Sequence, residues 1–240
     1  ATDNIAIGYQ ALSDQDVGGT GNAADSDHNI AIGSLAMSGT WADAKSEYNI
    51  AIGSNSMDDA MNGAEANIAI GVNSLSSLST GSSNVVVGTN AGLTLTTGYR
   101  NILMGHYAGD AMDTQDECIL IGYESGSALN HDDADGTVAV GYQALTALTS
   151  GASNVAIGYQ AMDALTTGGE NTALGYGALS AIAVGENTNV AIGALAMRNM
   201  DEGTAGGDID GNIGIGYDAL KGGDLAGNDR QIQDNIAIGR

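Results

Sequence analysis

Proline and phenylalanine are absent from this 240-residue chain, and cysteine and tryptophan occur once each. Without Phe, aromatic rings cannot supply most of the buried area, so a thin core of Ile, Val, Leu and Ala is expected. The lone Cys118 excludes a disulfide within the chain and reads as a free, buried thiol. Six basic residues stand against 29 acidic ones, a formal charge of −23. With no positive field to meet phosphate, the charge balance argues against nucleic acid and anionic membrane surfaces as partners. No run approaches the ~18 apolar residues of a membrane-spanning helix, so this segment is not membrane-embedded. No H-E-x-x-H, C-x-x-C, G-x-S-x-G or phosphate-loop pattern occurs. His28, His106 and His131 fall at unrelated points of the sequence. These absences argue against an enzyme and against a dedicated cofactor.

Glycine is what the chain has in quantity, 37 residues, and it is periodic. A phrase N-h-A-h-G, with h apolar, starts at Asn4, Asn29, Asn49, Asn67, Asn84, Asn101, Cys118, Thr137, Asn154, Asn171, Asn189, Asn212 and Asn235. The spacings run from 17 to 25 residues, so 17 is the minimal unit and longer intervals carry insertions. Periods of this size are the mark of a solenoid. The expected fold is an all-β dominated repeat solenoid, a parallel β-roll or β-helix of about 13 coils forming one unit over residues 1–240. Because the chain lacks an initiator Met and begins and ends within a repeat, it reads as a fragment of a longer fibre.

Each position of the repeat carries a structural expectation. The closing Gly suits a corner with positive φ, or one where another backbone passes closely. The two h positions, such as Val155 and Ile157, share one face of a strand and are assigned to the core. The residue between them is Ala in nine copies and Val86, Leu103, Leu120 or Gly214 in the others. It is assigned outward, as a small apolar row that meets another chain. Beyond the Gly, pairs such as Leu145 and Leu148 have i, i+3 spacing, which predicts a short helical turn, whereas "GLTLTTG" at 92–98 alternates like a strand. Asn at Asn4, Asn29, Asn49, Asn67, Asn84, Asn101, Asn154, Asn171, Asn189, Asn212 and Asn235 would stack at ~4.8 Å into an amide ladder that pins the register. Thirteen coils at that rise would make a rod roughly 60 Å long.

Residues outside the repeat rules are the candidates for contact or chemistry. Trp41, in the insertion "SGTWADAKSEY", is the candidate surface contact, although packing over its own loop is the plainer reading. Tyr9, Tyr123, Tyr142, Tyr159, Tyr176 and Tyr217 each follow a closing Gly; the stripe offers rings for glycan stacking, although sealing the edge of the core is the commoner use. The five intervals longer than 18 residues hold 18 of the 29 acids, so charge rides on the insertions. "NHDDADG" and "GGDIDGN" place Asp133, Asp135, Asp208 and Asp210 at alternate positions before a Gly, a weak likeness to a calcium loop. Neither completes the pattern with a Glu, and solvated loops that oppose aggregation are the plainer reading.

The copies "NIAIG", "NVAIG" and "NTALG", with Ala or Ser shortly after the Gly and a Gly-containing turn before the next Asn, resemble the head repeats of YadA-type trimeric autotransporter adhesins. They resemble equally the "N-T-A-I-G-Y-x-A-L…T-T-G" arrays of bacteriophage tail fibres. The resemblance spans Asn4 to Gly239. It implies a left-handed parallel β-roll, three chains side by side, in an extracellular fibre on a virion or a bacterial surface. Two features depart from the adhesin heads, the 17-residue unit and the acidic insertions. The expected function is a structural and adhesive segment of a homotrimeric fibre that displays loops to a host receptor, glycan among the candidates. A monomeric calcium- or ice-binding solenoid is the alternative.

Overall fold

The computed structural model describes residues 3–13, 26–41, 44–182, 184–200, 209–222 and 232–239. The chain divides into two compact units, Ala1–Cys118 and Ile119–Arg240. Every strand is three residues long and coincides with the h-A-h of a repeat. In the first unit these are β1 (Ile5–Ile7), β2 (Ile30–Ile32), β3 (Ile50–Ile52), β4 (Ile68–Ile70), β5 (Val85–Val87) and β6 (Ile102–Met104). In the second they are β7 (Ile119–Ile121), β8 (Val138–Val140), β9 (Val155–Ile157), β10 (Thr172–Leu174), β11 (Val190–Ile192), β12 (Ile213–Ile215) and β13 (Ile236–Ile238).

Within each unit every strand pairs in parallel with the next in sequence. Register is strict: Ile50 stands over Ile68, Ala51 over Ala69, Ile52 over Ile70, and Val138, Ala139 and Val140 stand over Val155, Ala156 and Ile157. Repeats stack like with like because any other register would set a buried position against an exposed one. The fold is a parallel β-solenoid.

The core lies on the opposite face of the strands from the one the spacing suggested. Ala31, Ala51, Ala69, Ala139, Ala156, Ala173 and Ala191, at the middle of their strands, are fully buried, as are Val86, Leu103 and Leu120. The flanking residues lean outward: Ile70 is 38 %, Met104 41 % and Leu174 45 % exposed. The physical reason is volume. Each coil closes within a few residues, so its interior admits Ala beside one Leu or Met, four places after the Gly, and a second, seven places after.

Where the middle residue is larger, the position after the corner shrinks. Val86, Leu103 and Leu120 are paired in their own repeats with Gly92, Gly109 and Gly126, while the Ala-containing repeats carry Leu or Met there. A Cβ added to Gly126 would lie 2.9 Å from both Leu120 Cδ atoms, and one added to Gly92 would lie 2.9 Å from Leu103 Cδ1. At Gly214 a Cβ would meet Met197 Cγ of the preceding coil at 2.8 Å. Packing near crystalline density enforces these exchanges, since an added methylene strains and a lost one leaves a void.

The predicted helical turns are absent from the described residues, whose one helical element is the 3₁₀ turn Asp132–Ala134 in an insertion. Instead, the chain after each Gly runs through consecutive turns. Gln143 and Leu145 have φ of 53° and 52°, and Gln160 and Met162 have φ of 52° and 50°. Left-handed residues at alternate positions forbid a continuous right-handed helix. The i, i+3 spacing has a different origin: Leu148 N–H donates to the Leu145 carbonyl at 3.3 Å, and that single turn points both side chains inward. Residues 92–98 likewise form turns and no strand.

The closing Gly meets both demands of its corner. Gly158 has φ of 144°, and a Cβ there would sit 2.3 Å from the Gly175 carbonyl oxygen of the next coil. No side chain fits between backbones so close.

Candidate functional site

The buried Asn column organises each unit. Asn84 Oδ1 accepts from the Asn101 backbone N–H at 3.0 Å and from Asn101 Nδ2 at 3.1 Å. Asn84 Nδ2 donates to Asn67 Oδ1 at 3.0 Å and to the Gly98 carbonyl at 2.9 Å. The same pattern links Asn49, Asn67, Asn84 and Asn101 in the first unit and Asn154, Asn171, Asn189, Asn212 and Asn235 in the second. Asn4 and Asn29 belong to the first column through the Asn29 N–H to Asn4 Oδ1 bond of 2.7 Å, and Asn29 Oδ1 accepts from Asn49. Each amide therefore serves one coil's strand entrance and the previous coil's closing turn, inside a core where an unpaired amide would be costly.

Cys118 and Thr137 stand where Asn would. Cys118 is a free, buried thiol whose backbone N–H donates to Asn101 Oδ1 at 2.8 Å. Thr137 turns its hydroxyl to the Ala134 carbonyl, and Asn154 Nδ2, which Thr137 does not receive, bonds the Gly151 carbonyl at the close of the preceding coil at 3.0 Å as well as the Gly168 carbonyl of its own coil at 2.8 Å. A second amide column, not anticipated, lies two places after the Gly. Asn55, Asn73 and Asn90 are linked in the first unit, and Gln160, Gln143 and Glu124 in the second. Its signal was the recurrence of Asn or Gln at a position that the backbone holds at positive φ, where Asn is favoured.

Trp41 is buried, 3 % exposed, and is not a surface contact. It lies eight residues beyond Gly33, as buried Met61 lies eight beyond Gly53, in the inner row that 17-residue repeats fill with Leu or Met seven places after the Gly. In these two longer units the row is displaced by one place, and the ring is buried there.

The proposed metal ligands do not converge. Asp133 and Asp135 are exposed on and beside the 3₁₀ turn, where the Asp133 N–H donates to His131 Nδ1. Asp210 Oδ1 accepts the Asn187 N–H at 2.7 Å and so caps a turn. Asp208 lies outside the described residues. Among the described residues no group of three or more His, Cys, Asp or Glu is placed to hold a metal ion. An open groove of about 420 Å³ runs past Asp133, Ser150, Gly151, Gly168, Glu170 and Asn187. Close by in sequence, buried Glu186 receives the Ile209 N–H on Oε2 at 2.8 Å.

Two surfaces remain. The first is the outward face of the strands: two parallel rows of Ile and Val, broken by Met104, Thr172 and Leu174. The second is a file of tyrosines in the second unit, one place beyond each closing Gly. Tyr123, Tyr142, Tyr159 and Tyr176 stack with ring centroids 5.2, 5.0 and 5.5 Å apart and planes within 22° of parallel. They are 40–54 % exposed, so each side chain keeps about half its surface open. The lesser clusters are surface pairs, such as Arg100 with Glu117 and His28 stacked on Tyr48.

No protein-family model matches the sequence, nor does any curated protein or solved structure. Among the described residues no helix is long and apolar enough to cross a membrane.

Proposed function

We propose that this chain is a structural and adhesive segment of an extracellular homotrimeric fibre, a phage tail fibre or a bacterial surface adhesin. The observation that carries the reading is the outward apolar face. Every described strand presents two apolar side chains away from its own core, Thr172 alone excepted, in rows that continue through all the strands of a unit. Monomeric proteins seldom expose apolar patches beyond a few hundred Å², and in-register rows match a second copy of themselves. The sister-chain contact therefore falls to the Ile and Val rows and not to the middle Ala. Three is the copy number that the repeat resemblance implies.

The acidic insertions suit a solvated rim, where like charge opposes lateral aggregation beyond the closed assembly. Attachment belongs to loops and to side chains outside the apolar rows, with a host cell-surface receptor, glycan included, as partner. Sedimentation equilibrium at micromolar concentration tests the reading. Three times the chain mass is expected, and a monomer would overturn it.

A further inference from the structure

We propose that the tyrosine file of the second unit, Tyr123, Tyr142, Tyr159 and Tyr176, is a binding strip for an uncharged, extended β-linked polysaccharide lying parallel to the stack of strands. The inference rests on the reading of this chain as an attachment segment and names the ligand class. Three observations carry it.

The first is ring geometry. Atoms in contact across stacked rings sit about 3.5–4.0 Å apart. Centroids 5.0–5.5 Å apart with planes 9–22° from parallel are therefore slipped past one another. Each ring leaves part of a face uncovered, and the four together form a staircase of apolar ledges with phenol oxygens at their tips. Sugar rings have apolar C–H faces and hydroxyl edges, which such ledges and tips meet in turn.

The second is period. The ledges repeat once per coil, at the strand spacing of about 4.7–4.9 Å, and an extended β-1,4-linked chain advances per sugar by a similar distance. Its successive sugars are turned over, so one chain meets successive rings with alternate faces, each of which carries apolar C–H groups. Beside the rings, Glu124, Gln143 and Gln160 are tied to one another by hydrogen bonds of 2.8 and 3.2 Å. They form an ordered polar kerb whose remaining donors and acceptors face a polyhydroxyl ligand at no added ordering cost.

The third is charge. Residues 119–176 contain six Asp or Glu and no Lys or Arg. Uronates, sialylated chains and phosphorylated glycans are repelled by that field, which leaves uncharged chains.

The test uses the whole chain, cellohexaose and a hexamer of galacturonate as probes, and titration calorimetry with sedimentation mass measured on the same samples. The expected result is binding of cellohexaose and none of the galacturonate hexamer. The variants Tyr142→Ala and Tyr159→Ala should raise Kd at least tenfold, while Tyr142→Phe, which keeps the ledge, should stay within about threefold of wild type. Tyr99→Ala, outside the file, serves as the unchanged control. No binding of cellohexaose, tighter binding of the anionic hexamer, or equal binding by the alanine variants would overturn the proposal. So would a drop in sedimentation mass for Tyr142→Ala, because the file would then belong to a contact between copies. Wild-type mass is read independently, so a monomer that binds cellohexaose would sink the trimer and keep the strip.

Discussion

Truncating Asn84 to alanine removes four hydrogen bonds at one point of a fully buried column. The partners left behind set the cost. Asn67 Oδ1 keeps the Asn84 backbone N–H, and Asn101 Nδ2 keeps the Gln115 carbonyl. The Asn101 backbone N–H and the Gly98 carbonyl lose the amide that serves them here. Two buried groups left unsatisfied at about 1–3 kcal/mol each place the loss at about 2–6 kcal/mol. Asn84→Asp keeps the acceptor and the shape but turns a carboxylate oxygen toward two other oxygens. It should be at least as damaging at pH 7 and recover in acid, because protonation restores a donor. Denaturant unfolding followed by far-UV circular dichroism, at one fixed protein concentration, reads both. A loss below about 1 kcal/mol for Asn84→Ala would refute the reasoning, since burial without partners is what the magnitude rests on.

Three other outcomes are expected. Leu120→Ala alone should cost about 2–5 kcal/mol and Gly126→Leu alone should also destabilise, yet the double variant should recover much of the loss, a favourable coupling readable from a double-mutant cycle in denaturant. Gly158→Ala should cost more than about 3 kcal/mol or abolish folding, because Cβ meets the neighbouring carbonyl oxygen and φ is positive; a wild-type melting temperature would contradict it. Burial raises the Asp163 carboxyl above its ordinary value of 3.8, so its ionisation opposes folding. That group's favourable contribution is complete below 3.8 and fades as pH rises through the folded value. Asp163→Asn should therefore raise the melting temperature at pH 7 and leave it unchanged below pH 3.8.

Strand positions, the corner glycines and the Asn column were all legible, because each is a residue type repeated at one register position and stacking preserves register. The orientation of the strand was not. Alternation tells which residues share a face, and habit assigns the larger pair, Val155 and Ile157, inward. The answer is nevertheless written in three of the four copies that break the rule. Val86, Leu103 and Leu120 coincide with Gly92, Gly109 and Gly126, and only residues that share an interior must trade volume. Helical turns were inferred from Leu145 and Leu148 because one tight turn and one helical turn return a side chain to the same side after three residues. The left-handed φ values that separate the two leave little trace when Gln, Leu and Met adopt them. Trp41 stands out in the sequence only as the lone Trp of an insertion; that it continues the inner row, shifted by one place, is visible only once the row itself is known to be buried. The tyrosines are visible in the sequence as a stripe, but the stacking of their rings is a property of the structure alone.

The central claim is that the Ile and Val rows bind sister chains while the middle row fills each coil. It is tested most directly by the sedimentation mass of Ile157→Glu beside that of the unaltered chain, with far-UV circular dichroism on both. The outer-row variant should keep its β spectrum and fall from three times the chain mass toward one. A folded Ile157→Glu with undiminished mass, or an unaltered chain that is already a monomer, would contradict the claim.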